Sequence, residues 1–163
     1  SIERHATSKI LTKEEVLRDG VCFEDELDWG GEYYEQIVCE NESGEEVPYT
    51  GLAYDLYPDG QLEFYGYIDN GYRHGLAVYF YFNGKIKRIN NQNRGAAEGI
   101  QKEYFENGDI ESVSYCIAGG EILYKKYDET GKVIEEKTEP TEADFKRAKK
   151  WGVDLSTLDM NLK

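Results

Sequence analysis

Three glycine series run in step through the middle of this chain. Gly60, Gly84 and Gly108 are 24 residues apart, and so are Gly51, Gly75 and Gly99, and Gly71, Gly95 and Gly119. Gly131 extends the first series after 23 residues. A fixed internal period constrains the fold more than any local propensity does. It means that one structural unit is reused, and that each copy must bury its apolar face against its neighbours.

The unit reads as a β-hairpin. Tyr57-Pro58-Asp59-Gly60-Gln61-Leu62 returns as Tyr81-Phe82-Asn83-Gly84-Lys85-Ile86 and as Phe105-Glu106-Asn107-Gly108-Asp109-Ile110. A shorter echo follows at Glu129-Thr130-Gly131-Lys132-Val133. Asp-Gly or Asn-Gly between aromatic, apolar runs is the strongest short-range hairpin signal, and it predicts type I′ turns with positive φ at both central positions. In the first unit the strands fall at about Leu52–Tyr57 and Gln61–Ile68, and a second turn near Asn70-Gly71 leads to the next unit. A lone hairpin is marginal in water, so successive units must pair. Apolar residues recur in register: Leu52, Leu76 and Ile100; Leu56, Phe80 and Tyr104; Tyr57, Tyr81 and Phe105; Leu62, Ile86 and Ile110. Such stripes are packing ladders. The pattern decays outward. Residues 33–50 read as a degenerate earlier hairpin around Ser43-Gly44, and Arg88-Ile89-Asn90-Asn91-Gln92 is a polar, weak strand.

The flanks read as helical. Thr12-Lys13-Glu14-Glu15 has the form of a capping box, with Gly20 closing the helix. Pro140-Thr141-Glu142-Ala143-Asp144 opens a second helix that runs to Trp151, with Gly152 after it. Phe145, Ala148 and Trp151 form an apolar stripe expected to dock on the sheet, and both helices are expected to cover open edges. The expected fold is therefore mainly β: an elongated antiparallel meander of repeated hairpins with short capping helices at both ends. It forms a single domain, with a helix and an acidic segment over 1–32, hairpin repeats over 33–137, and a helix and tail over 138–163.

Charge is distributed unevenly. The net charge is −14, from 19 basic and 33 acidic residues. Between Asp19 and Tyr72 there are 15 acidic residues and no Lys or Arg, whereas residues 73–163 balance 15 against 15. A one-signed surface of this kind has two readings, solubility or the steering of a basic partner, and it suits neither nucleic acid nor anionic membrane. No apolar run approaches the roughly 18 residues of a membrane span. Ser1-Ile2-Glu3-Arg4-His5 leads into no apolar signal region, and Cys22, Cys39 and Cys116 are too scattered for a zinc or redox motif. These features fit reduced thiols and a cytoplasmic location.

Chemistry is hard to find in the sequence. The histidines, His5 and His74, have no catalytic context, and no G-x-S-x-G, P-loop or HExxH motif is present. The run Glu24-Asp25-Glu26-Leu27-Asp28 lacks the spacing and glycine of an EF-hand. The expectation is a non-enzymatic protein with no metal and no cofactor, a hydrolase using a carboxylate pair being the remote alternative.

Gly51-Leu52-Ala53-Tyr54-Asp55-Leu56-Tyr57-Pro58-Asp59-Gly60-Gln61-Leu62 and Tyr81-Phe82-Asn83-Gly84-Lys85-Ile86 resemble the MORN repeat in its bacterial variant form. Asn70-Gly71-Tyr72-Arg73-His74-Gly75 resembles the linker between such repeats. The resemblance covers about 50–134. It implies an antitoxin or immunity protein that occludes the active site of a cognate bacterial toxin, a nuclease or other basic domain. Eukaryotic relatives of the repeat are linked to phospholipid binding and scaffolding, and the acidity here argues against a lipid role. The alternative is a scaffold for protein–protein interaction. The residues expected to meet the partner are Glu24, Asp25, Glu26, Asp28, Glu32, Glu35, Glu40 and Glu42, together with Tyr54, Tyr65 and Tyr67.

Overall fold

The structure, a computed structural model, describes residues 9–158 and Leu162. A helix α1 (Lys13–Asp19) and a short strand β1 (Gly20–Cys22) lead into a single helical turn α2 (Phe23–Glu26). A three-stranded antiparallel sheet follows, made of β2 (Asp28–Gly30), β3 (Gln36–Glu40) and β4 (Glu46–Pro48). The repeats then supply β5 (Gly51–Leu56), β6 (Leu62–Asp69), β7 (Tyr72–Phe80), β8 (Ile86–Asn93), β9 (Ala96–Ala97), β10 (Gly99–Tyr104), β11 (Ile110–Ile117), β12 (Gly120–Tyr127) and β13 (Val133–Lys137). Helix α3 (Glu142–Lys150) and a 3₁₀ turn at Leu155–Thr157 close the described chain. The repeats form the expected antiparallel meander, in sequence order from β5 to β13, with β9 paired to β8.

The first glycine series closes the hairpins, but not with type I′ turns. At each one the amides at 57, 81, 105 and 128 donate across the loop to the carbonyls at 61, 85, 109 and 132, each over 2.8 Å. Only the glycine lies at positive φ, while Asp59, Asn83 and Asn107 do not. This is the three-residue loop with a bulge glycine, and the ladder slips by one residue beside it at Asp55/Leu56, Tyr79/Phe80, Glu103/Tyr104 and Lys126/Tyr127. The Asx oxygens of Asp59, Asn83 and Asn107 accept the amide two residues on, which favours this loop over I′. The left-handed pairs sit instead at the linker turns: Asn70-Gly71, Arg94-Gly95 and Ala118-Gly119 all have positive φ at both positions. Residues 33–50 turn back at Ser43-Gly44 as expected, where Asn41 and Glu45 close the same kind of loop, but they belong to the separate small sheet. Asp28–Gly30 pairs with Gln36–Glu40, so that sheet bridges residues 32 and 33.

Leu52, Leu56, Leu62, Leu76, Phe80, Ile86 and Ile100, drawn from three of the four apolar stripes, share one face. Its N-terminal half buries Leu52, Leu62, Tyr65, Leu76 and Val78 beneath Val16 of α1. Thr12 caps α1 reciprocally with Glu15, as the sequence predicts. Its C-terminal half buries Val113, Ile117, Ile122 and Leu123 with Ala148 and Leu155. Ile89 faces Lys102 between the two halves. The opposite face is covered at its N-terminal end, where Leu27 and Ile37 pack on Ala53 and Ile68. The small sheet is pinned to the linker turn there. Ile37 donates to the Gly71 carbonyl and Gly71 donates to Tyr49, both over 2.8 Å. A Cβ on Gly71, already at φ +85, would lie 2.9 Å from Gln36 Cβ, so only glycine fits.

Three expectations are corrected. Arg88 to Gln92 lies within a full eight-residue strand, β8. Its polarity is structural: the Gln101 amide stands in for a peptide unit, accepting from Asn91 N over 3.0 Å and donating to Asn91 O over 2.7 Å. The first edge of the meander is covered by β1, which pairs in parallel with β5, rather than by a helix. The stripe on α3 docks only through Ala148; Phe145 and Trp151 are more than half exposed, because Asp144 and Ala148, one turn apart, form the buried face.

Candidate functional site

The acidic residues expected to meet a partner are all on the surface. Glu24, Asp25, Glu26, Asp28, Glu32, Glu35, Glu40 and Glu42 are exposed, on α2, the small sheet and its loops. Of the expected tyrosines, Tyr54 lies near Glu26 and Asp25; burial raises its pKa, and their charges help. Tyr65 is wholly buried under α1, where its hydroxyl oxygen accepts the Leu11 amide over 2.8 Å, and burial pushes its pKa up. Tyr54 and Tyr67 are half-buried around the same core, on the face opposite the small sheet. The alternation places them there: Tyr54 stands opposite Tyr65 and Leu52 opposite Tyr67. Tyr65 is therefore removed as a contact residue.

Other aromatic residues are exposed on the acidic side of the molecule. Tyr33 and Tyr34 are 76% and 74% exposed, in the loop between β2 and β3 flanked by Glu32 and Glu35. Trp29, on β2, is 42% exposed. Gly31 and Tyr34 both have positive φ in this loop, and Glu35 ties it by accepting the Tyr33 amide over 2.9 Å. Trp and Tyr are enriched in protein interfaces, whereas Glu and Asp are depleted from their centres and belong to the polar rim. The sequence signal was available, as Tyr33-Tyr34 directly after Gly30-Gly31, but it lies outside the repeat.

Behind this loop is a cleft of about 420 Å³, between the small sheet and two linker turns of the large one. Trp29, Glu35 and Ile37 form one wall, and Tyr72, Arg73 and Arg94 the other. The Arg73 guanidinium lies 5.7 Å from the centre of the Trp29 ring, and the Arg94 guanidinium lies 5.1 Å from the centre of Tyr72.

Features that suggest catalysis resolve into structure. Asp55 accepts the Glu24 amide over 3.0 Å and lies 3.6 Å from Cys22 Sγ. Burial, helped by the Asp25 and Asp55 carboxylates, pushes the Cys22 thiol up, away from a reactive thiolate. Burial does the same to Cys116. Cys22, Cys39 and Cys116 are all free. Among the described residues no three His, Cys, Asp or Glu side chains converge as metal ligands, and no helix is long and apolar enough to cross a membrane. His74 lies on β7; His5 and the Ser1 terminus lie outside the described residues.

Comparison with known proteins agrees with this architecture. Residues 73–92, 97–115 and 121–138 match the MORN repeat variant. A curated relative, Immunity protein YwqK of Bacillus subtilis (strain 168), is 38% identical over 60 residues. The aligned stretch is 37% of this chain and spans 38% of the relative's own length. No solved structure matches the chain. The unit at residues 51–62 lies outside the matched stretches, yet it closes with the same turn hydrogen bonds as the units inside them.

Proposed function

We propose that this chain is an immunity protein that binds a basic toxin domain and blocks its active site, acting in the cytoplasm without catalytic activity of its own. The observation that carries the reading is the joint exposure of Trp29, Tyr33 and Tyr34 among Glu24, Asp25, Glu26, Asp28, Glu32, Glu35, Glu40 and Glu42. The partial likeness to an immunity protein supports it. Carboxylates steer the encounter, raising association by roughly 10- to 1000-fold at low salt. The aromatics then hold the complex, since buried Trp and Tyr anchors dominate interface energetics. Against a nuclease, the carboxylates occupy the positions of substrate phosphates.

The test is the association rate with the toxin encoded beside this chain's gene, measured against salt. We expect a steep fall with salt, flattened when Glu24, Asp25, Glu26 and Asp28 are made neutral. We expect Trp29→Ala to speed dissociation by about tenfold or more with little change in association. A salt-independent rate, untouched by charge removal, refutes the steering. A second reading, a protein scaffold, draws on the outer strand β13, whose Ile134 is 63% exposed.

A further inference from the structure

Arg73 and Arg94 are anomalies by two independent measures. The first is their position in the repeat. Counting by 24, the position of Arg73 is Tyr49 one unit earlier and Ala97 one unit later, and the position of Arg94 is Asn70 and Ala118. The hydrogen-bond skeleton at these positions is the same in each unit: Tyr49, Arg73 and Ala97 offer their carbonyls to Gly71, Gly95 and Gly119 over 2.8–2.9 Å. The backbone therefore makes no use of either guanidinium. Arg94 also sits at φ +49, a conformation that costs a residue with a Cβ about 1 kcal/mol.

The second measure is their lack of partners. Acidic residues outnumber basic ones 33 to 19, yet neither arginine forms an ion pair among the described residues. Each instead lies against an aromatic ring, Arg73 on Trp29 and Arg94 on Tyr72, in one cleft of about 420 Å³. A ring contact of this kind occupies no N–H donor of the guanidinium, whose fork matches a carboxylate bidentately. Glu35, the one acid lining the cleft, is already engaged with the Tyr33 amide.

We infer that this cleft is a receptor for one carboxylate of a protein partner, an exposed Asp or Glu side chain gripped between the Arg73 and Arg94 forks. Phosphate fits less well. The amides of Gly71 and Gly95, which in a phosphate site would point at the ligand, are spent on Tyr49 and Arg73. The surrounding excess of carboxylates also opposes a dianion about twice as strongly as a monoanion. In taking the toxin as that partner the inference rests on the reading above. It adds orientation: a basic partner drawn in by the acidic surface is fixed in register by one of its own acids.

The site can be tested without the toxin. In the full chain carrying Trp151→Phe, Trp29 is the one remaining tryptophan and reports on the cleft. The probe is the capped peptide acetyl-Gly-Gly-Glu-Gly-Gly-amide, compared with its Gln counterpart and with inorganic phosphate, followed by Trp29 emission and by Arg Nε–H resonances. The expected result is a saturable response to the Glu peptide at both arginines. It should weaken by about fivefold or more in Arg73→Gln, in Arg94→Gln and in the charge-keeping Arg73→Lys, which lacks the fork. The circular dichroism of each variant should match the parent. An equal response to the Gln peptide, an equal or stronger response to phosphate, or an undiminished response in the variants overturns the inference. These outcomes leave the salt dependence of toxin association untouched, so the two readings fail separately.

Discussion

Tyr57 and Tyr81 show how single side chains tie one repeat to the next. The Tyr57 hydroxyl donates to the Phe80 carbonyl over 2.7 Å, and the Tyr81 hydroxyl, 24 residues on, donates to Tyr104 over 2.6 Å. The series stops at Phe105, which has no hydroxyl to offer. We expect Tyr81→Phe to destabilise the fold by about 1–2 kcal/mol, because a half-buried carbonyl loses its partner while the ring is kept. Urea unfolding of the two proteins side by side measures this. Of the three tyrosines expected at the partner surface, Tyr65 is wholly buried and the other two are half-buried. Tyr54, Tyr65 and Tyr67 line the core, and no count of residues tells one sheet face from the other when a one-residue slip exchanges them. The residues that are exposed, Trp29, Tyr33 and Tyr34, stand outside the periodic pattern, so the repeat gave no frame in which to place them.

At the scale of elements, the glycine series were legible in full and the turn type was not. Asn-Gly and Asp-Gly are compatible with both I′ and bulged loops; the Asx oxygen's bond to the amide two residues on selects the latter, and that bond is visible only in three dimensions. The β8–β10 pairing was equally hidden. Its backbone ladder spans Lys102 opposite Ile89 and Glu103 opposite Arg88, and beyond that the side chains of Gln101 and Asn91 replace it. A polar strand is weak where its side chains are left to water, and most of these are half-buried. We expect Gln101→Leu to cost about 1–2 kcal/mol, since it orphans the Asn91 amide, while the Asn91 carbonyl keeps the Glu98 amide over 2.9 Å. Hydrogen exchange at Asn91 should quicken before exchange elsewhere in the sheet.

Helix α3 is fastened by Asp144, which accepts the Thr141 amide over 2.8 Å and pairs with Lys137 of β13. Burial alone would raise the Asp144 pKa, but the Lys137 ammonium and the Thr141 cap outweigh it and hold the carboxyl below the ordinary aspartate range. A folded pKa below the unfolded one means that the ionised form favours folding. The contribution is whole above about pH 4 and is lost as pH falls through the lower folded value. Asp144→Asn should therefore cost about 1 kcal/mol at neutral pH and less at pH 2–3. Thermal unfolding at the two pH values checks the sign.

For the whole molecule, the meander is continuous but its interior is not. One core holds Val16, Leu52, Tyr65 and Val78, the other Val113, Ile117, Ile122 and Leu123, and the Gln101–Asn91 amides lie between them. Repeat arrays unfold as one body only when the interface between neighbours is strong. Trp29 belongs to the first half and Trp151 to the second, so Trp29→Phe and Trp151→Phe each leave one reporter. We expect the two to give different urea midpoints. Leu123→Ala should lower the Trp151 transition by about 3 kcal/mol while leaving the Trp29 transition in place. Coincident curves that shift together would show one cooperative unit.

The charge follows the same division. Residues 1–98 hold 9 basic and 19 acidic residues and residues 99–163 hold 10 and 14, so most of the acidic excess, with the arginine cleft, lies in the first half.

The amide bridge between β8 and β10 thus marks a line along which such a chain can be recombined. A chimaera joined between Asn93 and Gly99 would inherit each oily interior intact, and needs to preserve only a handful of polar contacts at the splice. Either block can then be exchanged whole, with no need to redesign what holds the other end together.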